Sequence, residues 1–295
     1  MTDLDENITL WLLELTVEHK SPTTRKTYRD AVRAYREWCA DHGLPDEITR
    51  DAVRAYLAAM LEGGAAATTT RLRHAALRQF SKWLTKEGII PEDVLLTIPP
   101  PKIDAKVVPT LSDDELKALF AACKGKDFRD IRDTAIVRLM AECGLRAGEV
   151  IALGVSDVDL NRGLVTVRRG KGGKGRTVSV GPTTAVALGR WLRVRKTHRL
   201  AEKDNLWLGA GGKQLGYHGL EGTMKMRAQR AGITGFHLHR LRHTAATRWL
   251  RAGGSEQGLM AIAGWANRAM IDRYTGASAA ERAADEAKKL GLGEL

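Results

Sequence analysis

The sequence predicts a mainly α protein with a small antiparallel β-sheet, an α+β chain in two parts. Three observations lead there. Apolar residues recur at helical spacing over most of the 295 residues. One short stretch, Leu164–Val167 and Thr177–Val180 around a Gly-rich turn, changes to β-branched patterning. The run Pro99-Pro100-Pro101 to Pro109 resists helix and favours extended chain, which marks a linker.

The elements follow in order. Ile8–Val17 is apolar but is broken by Thr9 and Glu14, too short and too mixed to span a bilayer. It follows Asp3, Asp5 and Glu6, whereas a secretory leader starts basic, so a soluble, cytoplasmic protein is expected. Ser21-Pro22 is an N-cap followed by Pro at the first helical position. Tyr28, Ala31, Val32, Tyr35 and Cys39 form the apolar face of that helix, and Arg25, Arg29, Arg33 and Arg36 lie opposite. A further helix starts at Thr68-Thr69-Thr70, turns Leu72, Ala76, Phe80, Trp83 and Leu84 inward and ends at Gly88, with Arg71, Arg78 and Lys82 elsewhere on its surface. After the linker, Leu111-Ser112-Asp113-Asp114-Glu115 is a capped helix start with acids in the first turn. Helices are expected to about Leu153, then the hairpin, then helix again from Thr183–Arg199 onward. The expected domains are 1–98, a linker at 99–109, a second domain at 110–276, and a tail at 277–295.

Charge is uneven. The whole chain has 47 basic and 35 acidic residues. Residues 1–100 hold 13 basic and 15 acidic residues, so the excess of +12 lies entirely beyond them. Arg162–Arg176 has six basic residues and no acid; Lys213–Arg251 has eight basic residues against Glu221 alone. Such clusters suit a polyanion, and they equally suit a solvated surface. Three dispersed cysteines, Cys39, Cys123 and Cys143, exclude a disulfide scaffold and a Cys-type zinc module.

Gly170-Lys171-Gly172-Gly173-Lys174-Gly175 matches GxGxxG, but a strand follows where a phosphate-binding loop needs a helix N-terminus. It reads as a turn presenting lysines. His239 and His243 have the spacing of a metal pair, yet Arg240 stands where a zincin has Glu, and Arg242 would repel a cation. The same arginines suit phosphate, and the histidines suit proton transfer near neutral pH. Gly144-Leu145-Arg146-Ala147-Gly148-Glu149 puts an arginine in a helix break with a carboxylate three residues on. Gly264-Trp265 lies nine residues before Tyr274.

Singly these motifs are loose. In this order, within one basic domain, they resemble the tyrosine recombinase (phage integrase) family. The carriers are Gly-Leu-Arg146-Ala-Gly-Glu149, Lys171, His239-Arg-Leu-Arg242-His243, Gly264-Trp265 and Tyr274. The resemblance is strong over 134–276 and continues back to the first helices, which look like the family's helical core-binding domain ahead of a DNA breaking-rejoining catalytic domain. Trp265 stands where many members have His, Ile271 and Asp272 replace small hydroxyl residues, and Gly276 replaces a common His.

The resemblance implies a site-specific recombinase that cleaves duplex DNA through a 3′-phosphotyrosyl intermediate and a Holliday junction, with no metal and no cofactor. It assigns Tyr274 as nucleophile, Arg146 and Arg242 to the phosphate, and Lys171 as general acid. His239 assists proton transfer and Trp265 supports the phosphate; Glu149 and His243 support the pocket. Arg25, Arg29, Arg33, Arg71, Arg78, Arg169, Lys174 and Arg176 are the expected DNA contacts. The expected partners are double-stranded DNA at core sites, a homo-tetramer on that DNA, and an accessory bending or directionality factor, with no membrane. The tail packs either on its own domain or on a neighbouring protomer. With core-binding helices near Met1 and no arm-binding module, the chain resembles Xer-type resolvases or small integrases; integration or excision of a phage or mobile element is the preferred role, dimer resolution the alternative. A catalytically silent DNA binder, a type IB topoisomerase and a metal-dependent nuclease are the competing classes; the first lacks its missing residue and the last its carboxylate cluster.

Overall fold

The structure, a computed structural model, describes residues 4–103, 109–168, 175–265, 267 and 270–271. The chain divides into two compact units, with the division between Ala105 and Lys106. Among the described residues it holds eleven helices and one three-stranded antiparallel sheet. None of these helices is long and apolar enough to cross a membrane.

The first unit contains α1 (Leu4–Val17), α2 (Pro22–Asp41), α3 (Arg50–Glu62) and α4 (Ala67–Lys86). Ser21 Oγ accepts from Thr24 N at 3.1 Å, the cap that its position before Pro22 predicts. Helix α3 was not singled out by patterning; Thr49 caps it by accepting from Ala52 N. The core gathers around Trp11, which stacks on Tyr28 at 5.6 Å and meets Phe80 at 5.0 Å. Leu72 departs from expectation: it is 46% exposed. The buried arc of α4 runs through Ala76, Leu77, Phe80 and Leu84 and reaches His74 and Ser81 on its other edge. Leu72 lies just outside that arc. His74 and Ser81 remain buried because they are paired, His74 Nε2 with Ile98 O and Ser81 Oγ with Asp93 Oδ1.

The second unit contains α5 (Asp113–Ala122), α6 (Phe128–Cys143), α7 (Ala147–Ala152), β1 (Val158–Asp159), β2 (Leu164–Val167), β3 (Arg176–Ser179), α8 (Pro182–Arg195), α9 (Tyr217–Arg230), α10 (Leu238–Arg251) and α11 (Glu256–Ala263). The capping box at α5 is present, with Ser112 and Glu115 each accepting the other's backbone N–H. The hairpin pairs Val165 with Val178 and Val167 with Arg176, and β1 adds a short outer strand beside β2. A two-residue strand is too brief to leave a period-two signal, so β1 was not legible. Val165, Val167 and Val178 turn into the core, which also holds Trp191 and Trp207. Both indoles are satisfied, donating to Leu206 O and Val150 O.

A charge network crosses that core. Asp133 is 0% exposed. It accepts from Arg132 on one oxygen and from Arg227 on the other, at 2.8–3.0 Å. Arg227 also reaches Asp130 and Ala122 O, and Arg132 reaches Leu208 O. One carboxylate therefore ties α6 to α9, while the arginines tie in the end of α5 and the segment at Leu208. Removing it leaves Arg132 without its paired carboxylate and Arg227 with Asp130 alone in a dry interior. Asp133→Ala is expected to cost about 3–5 kcal/mol. Hydrogen exchange of the α6 and α9 amides tests this: protection is expected to fall by roughly two to four orders of magnitude, and unchanged protection would remove the network's stabilising role.

Candidate active site

The site is assembled from ends of elements. Helix α6 stops at Gly144, whose φ of 61° is left-handed; a Cβ there would lie 3.3 Å from Ala245 Cβ on α10. The chain then turns to Arg146, the N-cap of α7. Helix α11 stops in the same way at Gly264, also with φ 61°. Helix C-termini leave carbonyls without intrahelical donors, and those carbonyls attract cations.

Arginines fill that role here. Arg242, from α10, donates from Nη1 to Gly144 O and from Nη2 to Ala263 O, both at 2.7 Å. Arg146 reaches Gly264 O from Nη2 at 3.4 Å. The two guanidinium groups that the sequence paired as phosphate ligands are thus anchored to adjacent carbonyls at the end of α11. The guanidinium carbon of Arg242 lies 5.3 Å from the centre of the Trp265 ring, a cation–π contact. Trp265 is 6% exposed and packs with Leu250, Leu259 and Ile271. His239 and His243 meet edge to face at 4.4 Å on α10, His243 buried and His239 exposed.

Glu149 is the hub. Its Oε1 accepts from Arg146 Nη1 at 2.8 Å and from Arg176 Nη1 at 2.9 Å. Its Oε2 accepts from the Arg146 backbone N–H at 2.8 Å and from Arg176 Nη2 at 2.7 Å. Burial opposes ionisation, but the bonds from Arg176 and Arg146 outweigh it and hold the carboxyl at a pKa of about 2. His239 moves the other way: loss of hydration, then the charges of Arg242, His237 and Arg146, lower its pKa below the usual 6.5. This favours the neutral ring in the free protein.

Arg176 corrects an expectation. It was placed among the DNA contacts, as part of a run of basic residues. Its side chain instead turns inward, with both Nη atoms on Glu149 and Nε on Ile262 O at 2.6 Å. A charge run does not reveal which member has an internal carboxylate within reach. Lys171, Arg169, Lys174 and Tyr274 lie outside the described residues.

In the first unit Arg33 and Arg71 are exposed and Arg25, Arg29 and Arg78 half-buried. Arg29 pairs with Asp30 at 3.0 Å and Arg25 donates to Thr16 Oγ1. Arg36, on the same stripe, is taken up by Asp5 and Asp46. Arg71, His74, Arg78, Lys82 and Lys86 line one groove of about 710 Å³, a concave basic surface that the helical pattern only partly foreshadowed. Among the described residues no three His, Cys, Asp or Glu side chains are grouped to hold a metal ion.

The Glu149 hub yields a pH-dependent outcome. Its pKa falls from 4.5 unfolded to about 2 folded, so its contribution is complete above pH 4.5 and is lost as pH falls through about 2. The shift corresponds to about 3 kcal/mol. Denaturation of wild type and Glu149→Gln at a series of pH values is expected to show a gap of that order at pH 7, closing between pH 4.5 and 2. A gap independent of pH would show that the carboxylate is not held ionised by the arginines. NMR titration of His239 is expected to give a midpoint below 6.5.

Comparison with known proteins follows the same lines. Residues 109–281 match the phage integrase family, and residues 8–88 match the phage integrase N-terminal SAM-like domain. The tyrosine recombinase XerC of Shewanella amazonensis is 31% identical over 262 residues, covering 86% of this chain and 85% of its own length. The tyrosine recombinase XerD of Ralstonia nicotianae is 33% identical over 256 residues, covering 85% and 83%. In fold, the structure of the Tn1549 transposon integrase in complex with transposon right end DNA matches with a TM-score of 0.77 at 16% identity, covering 96% of this chain and 99% of that one. Arginines from the start of α7 and from α10 fixed on the ends of α6 and α11, the fold that fixes them, and these relatives lead to one assignment: the chain belongs to the tyrosine recombinase (phage integrase) family, enzymes that break and rejoin DNA strands.

Proposed function

We propose that the chain is a site-specific DNA recombinase of the Xer type, acting on core sites in double-stranded DNA. The observation that carries the chemistry is the pair of guanidinium groups, Arg146 and Arg242, held on neighbouring carbonyls of α11. Two forks converging from different helices suit the two non-bridging oxygens of one phosphodiester. The expected role in phage or mobile-element integration has less support than the alternative. Relatives that cover more than four-fifths of the chain are named XerC and XerD, which favours resolution of chromosome or plasmid dimers.

In the proposed reaction the Tyr274 oxygen attacks phosphorus in line with the 5′-oxygen. The phosphorus–O5′ bond breaks, Lys171 supplies the proton to that oxygen, and a 3′-phosphotyrosyl ester remains. A 5′-hydroxyl from the second duplex reverses the step, so the bond energy is conserved and no nucleotide triphosphate is consumed. Arg146 and Arg242 stabilise the charge that grows on the phosphoryl oxygens, and His239, neutral before DNA arrives, accepts the phenolic proton. Trp265 buttresses Arg242; Glu149 and His243 support the pocket. Residues 1–98 and 110–276 grip the duplex, joined by 99–109. Arg33, Arg71, Arg78 and the groove beside α4 contact backbone phosphates, with Arg25 and Arg29 beside them and Arg169 and Lys174 on the hairpin turn. Four copies join two duplexes, and 277–295 packs against its own or a neighbouring copy.

The test is incubation with nicked duplexes carrying candidate core sites, followed by denaturing gel electrophoresis. A covalent protein–DNA adduct is expected. It disappears in Tyr274→Phe and forms roughly 10²–10³-fold more slowly in Arg146→Ala or Arg242→Ala. DNA affinity survives Tyr274→Phe and falls steeply with salt. A full adduct yield in Tyr274→Phe would refute the nucleophile, and loss of the adduct on adding a chelator would refute a metal-free reaction. Relaxation of supercoils on any sequence, without junctions, would point to a topoisomerase instead.

A further inference from the structure

Three successive carbonyls at the end of α11 each accept from a different arginine. Ile262 O takes Arg176 Nε at 2.6 Å, Ala263 O takes Arg242 Nη2 at 2.7 Å, and Gly264 O takes Arg146 Nη2 at 3.4 Å. Two of these arginines face the substrate in the proposed reaction. The third does not: Arg176 spends its fork on both oxygens of Glu149. Glu149 in turn holds Arg146 by side chain and backbone. A Cβ on Gly264 would lie 3.1 Å from Arg176 Nη1, so the end of α11 is seated directly on this guanidinium.

We propose that Arg176 is a positioning residue for the phosphate clamp. It locks the Glu149 carboxylate and the α11 terminus together, and so sets where Arg146 and Arg242 present their forks. Arg176 also opens β3, five residues after Lys171, which gives the hairpin a fixed root in the same cluster. Three donors in one plane are needed, two for the carboxylate and one for Ile262 O. An ammonium supplies the charge without that geometry. The proposal rests on the phosphoryl-transfer reading and deepens it.

The test uses the full-length chain with Arg176→Lys and Arg176→Met. Arg176→Lys keeps the internal charge balance and is the variant expected to fold with a melting temperature near wild type. In the DNA-free protein, the Nε–H resonance of Arg146 is followed by NMR, with Arg195, held by Ala201 and Asn205 carbonyls, as the reference. The Arg146 signal is expected to shift and broaden in both variants while the Arg195 signal does not. On nicked duplex at saturating concentration, single-turnover adduct formation is expected to slow roughly ten- to hundred-fold in both. DNA affinity and its salt slope are expected to stay at the wild-type values.

Two results would overturn the proposal. One is weakened affinity with a salt slope reduced by about one and an unchanged rate at saturation, which would make Arg176 a phosphate contact after all. The other is full recovery of the rate and of the Arg146 resonance in Arg176→Lys, which would leave charge alone as its contribution. If wild type forms no adduct, the recombinase reading fails, and the Arg146 resonance still decides whether Arg176 positions it.

Discussion

The candidate site depends on one buried carboxylate, Glu149. A clamp for a phosphodiester needs several cations within a few ångströms of each other, and before DNA arrives they repel. Glu149, 6% exposed, accepts four hydrogen bonds from Arg146 and Arg176 and removes that repulsion for two of them. Its partners keep it ionised across the whole physiological range. In the proposed reaction, the Arg146 side of the clamp is therefore held in place in the free protein. Preorganisation of this kind is what makes fixed charges effective at a transition state.

The remaining cation of the pair is held by carbonyls. Arg242 rests on carbonyls at the ends of two helices, Gly144 after α6 and Ala263 closing α11. Carbonyl dipoles orient a guanidinium without neutralising its charge. The two left-handed glycines explain the placement. They stop α6 and α11 abruptly, so that open carbonyls, and not further turns of helix, meet the arginines.

Much of this was legible in the sequence because it is written as local signals. Ser21-Pro22 and Ser112 with Glu115 are caps that act within four residues, and the hairpin is a short-range change of period. Arg146 with Glu149 three residues on, and His239 with His243 at helical spacing, stand out as pairs. What was hidden depends on distant partners. Arg176 and Glu149 are far apart in sequence, and nothing near Arg176 distinguishes it from Arg168, whose side chain stays largely exposed. The Asp133 network has the same character: Arg227 belongs to a basic surface run by composition and to the core by its partners. Leu72 erred in the opposite sense, apolar by type but just beyond the arc that packing covers.

The state of His239 follows from the same electrostatics. Partial desolvation and the nearby charges of Arg242, His237 and Arg146 lower its proton affinity in the free site. A neutral imidazole is the form that can take a proton from a phenol; an imidazolium is not. An arriving phosphate adds negative charge beside the arginines and offsets their effect on the ring. In the proposed reaction, proton affinity at His239 rises as substrate enters, so the proposed base gains strength when there is a bond to break. A carboxylate in its place would be ionised throughout and would repel the phosphate, and a lysine would hold its proton. Among ionisable side chains, imidazole is the one whose charge this cationic pocket can suppress before binding and permit afterwards.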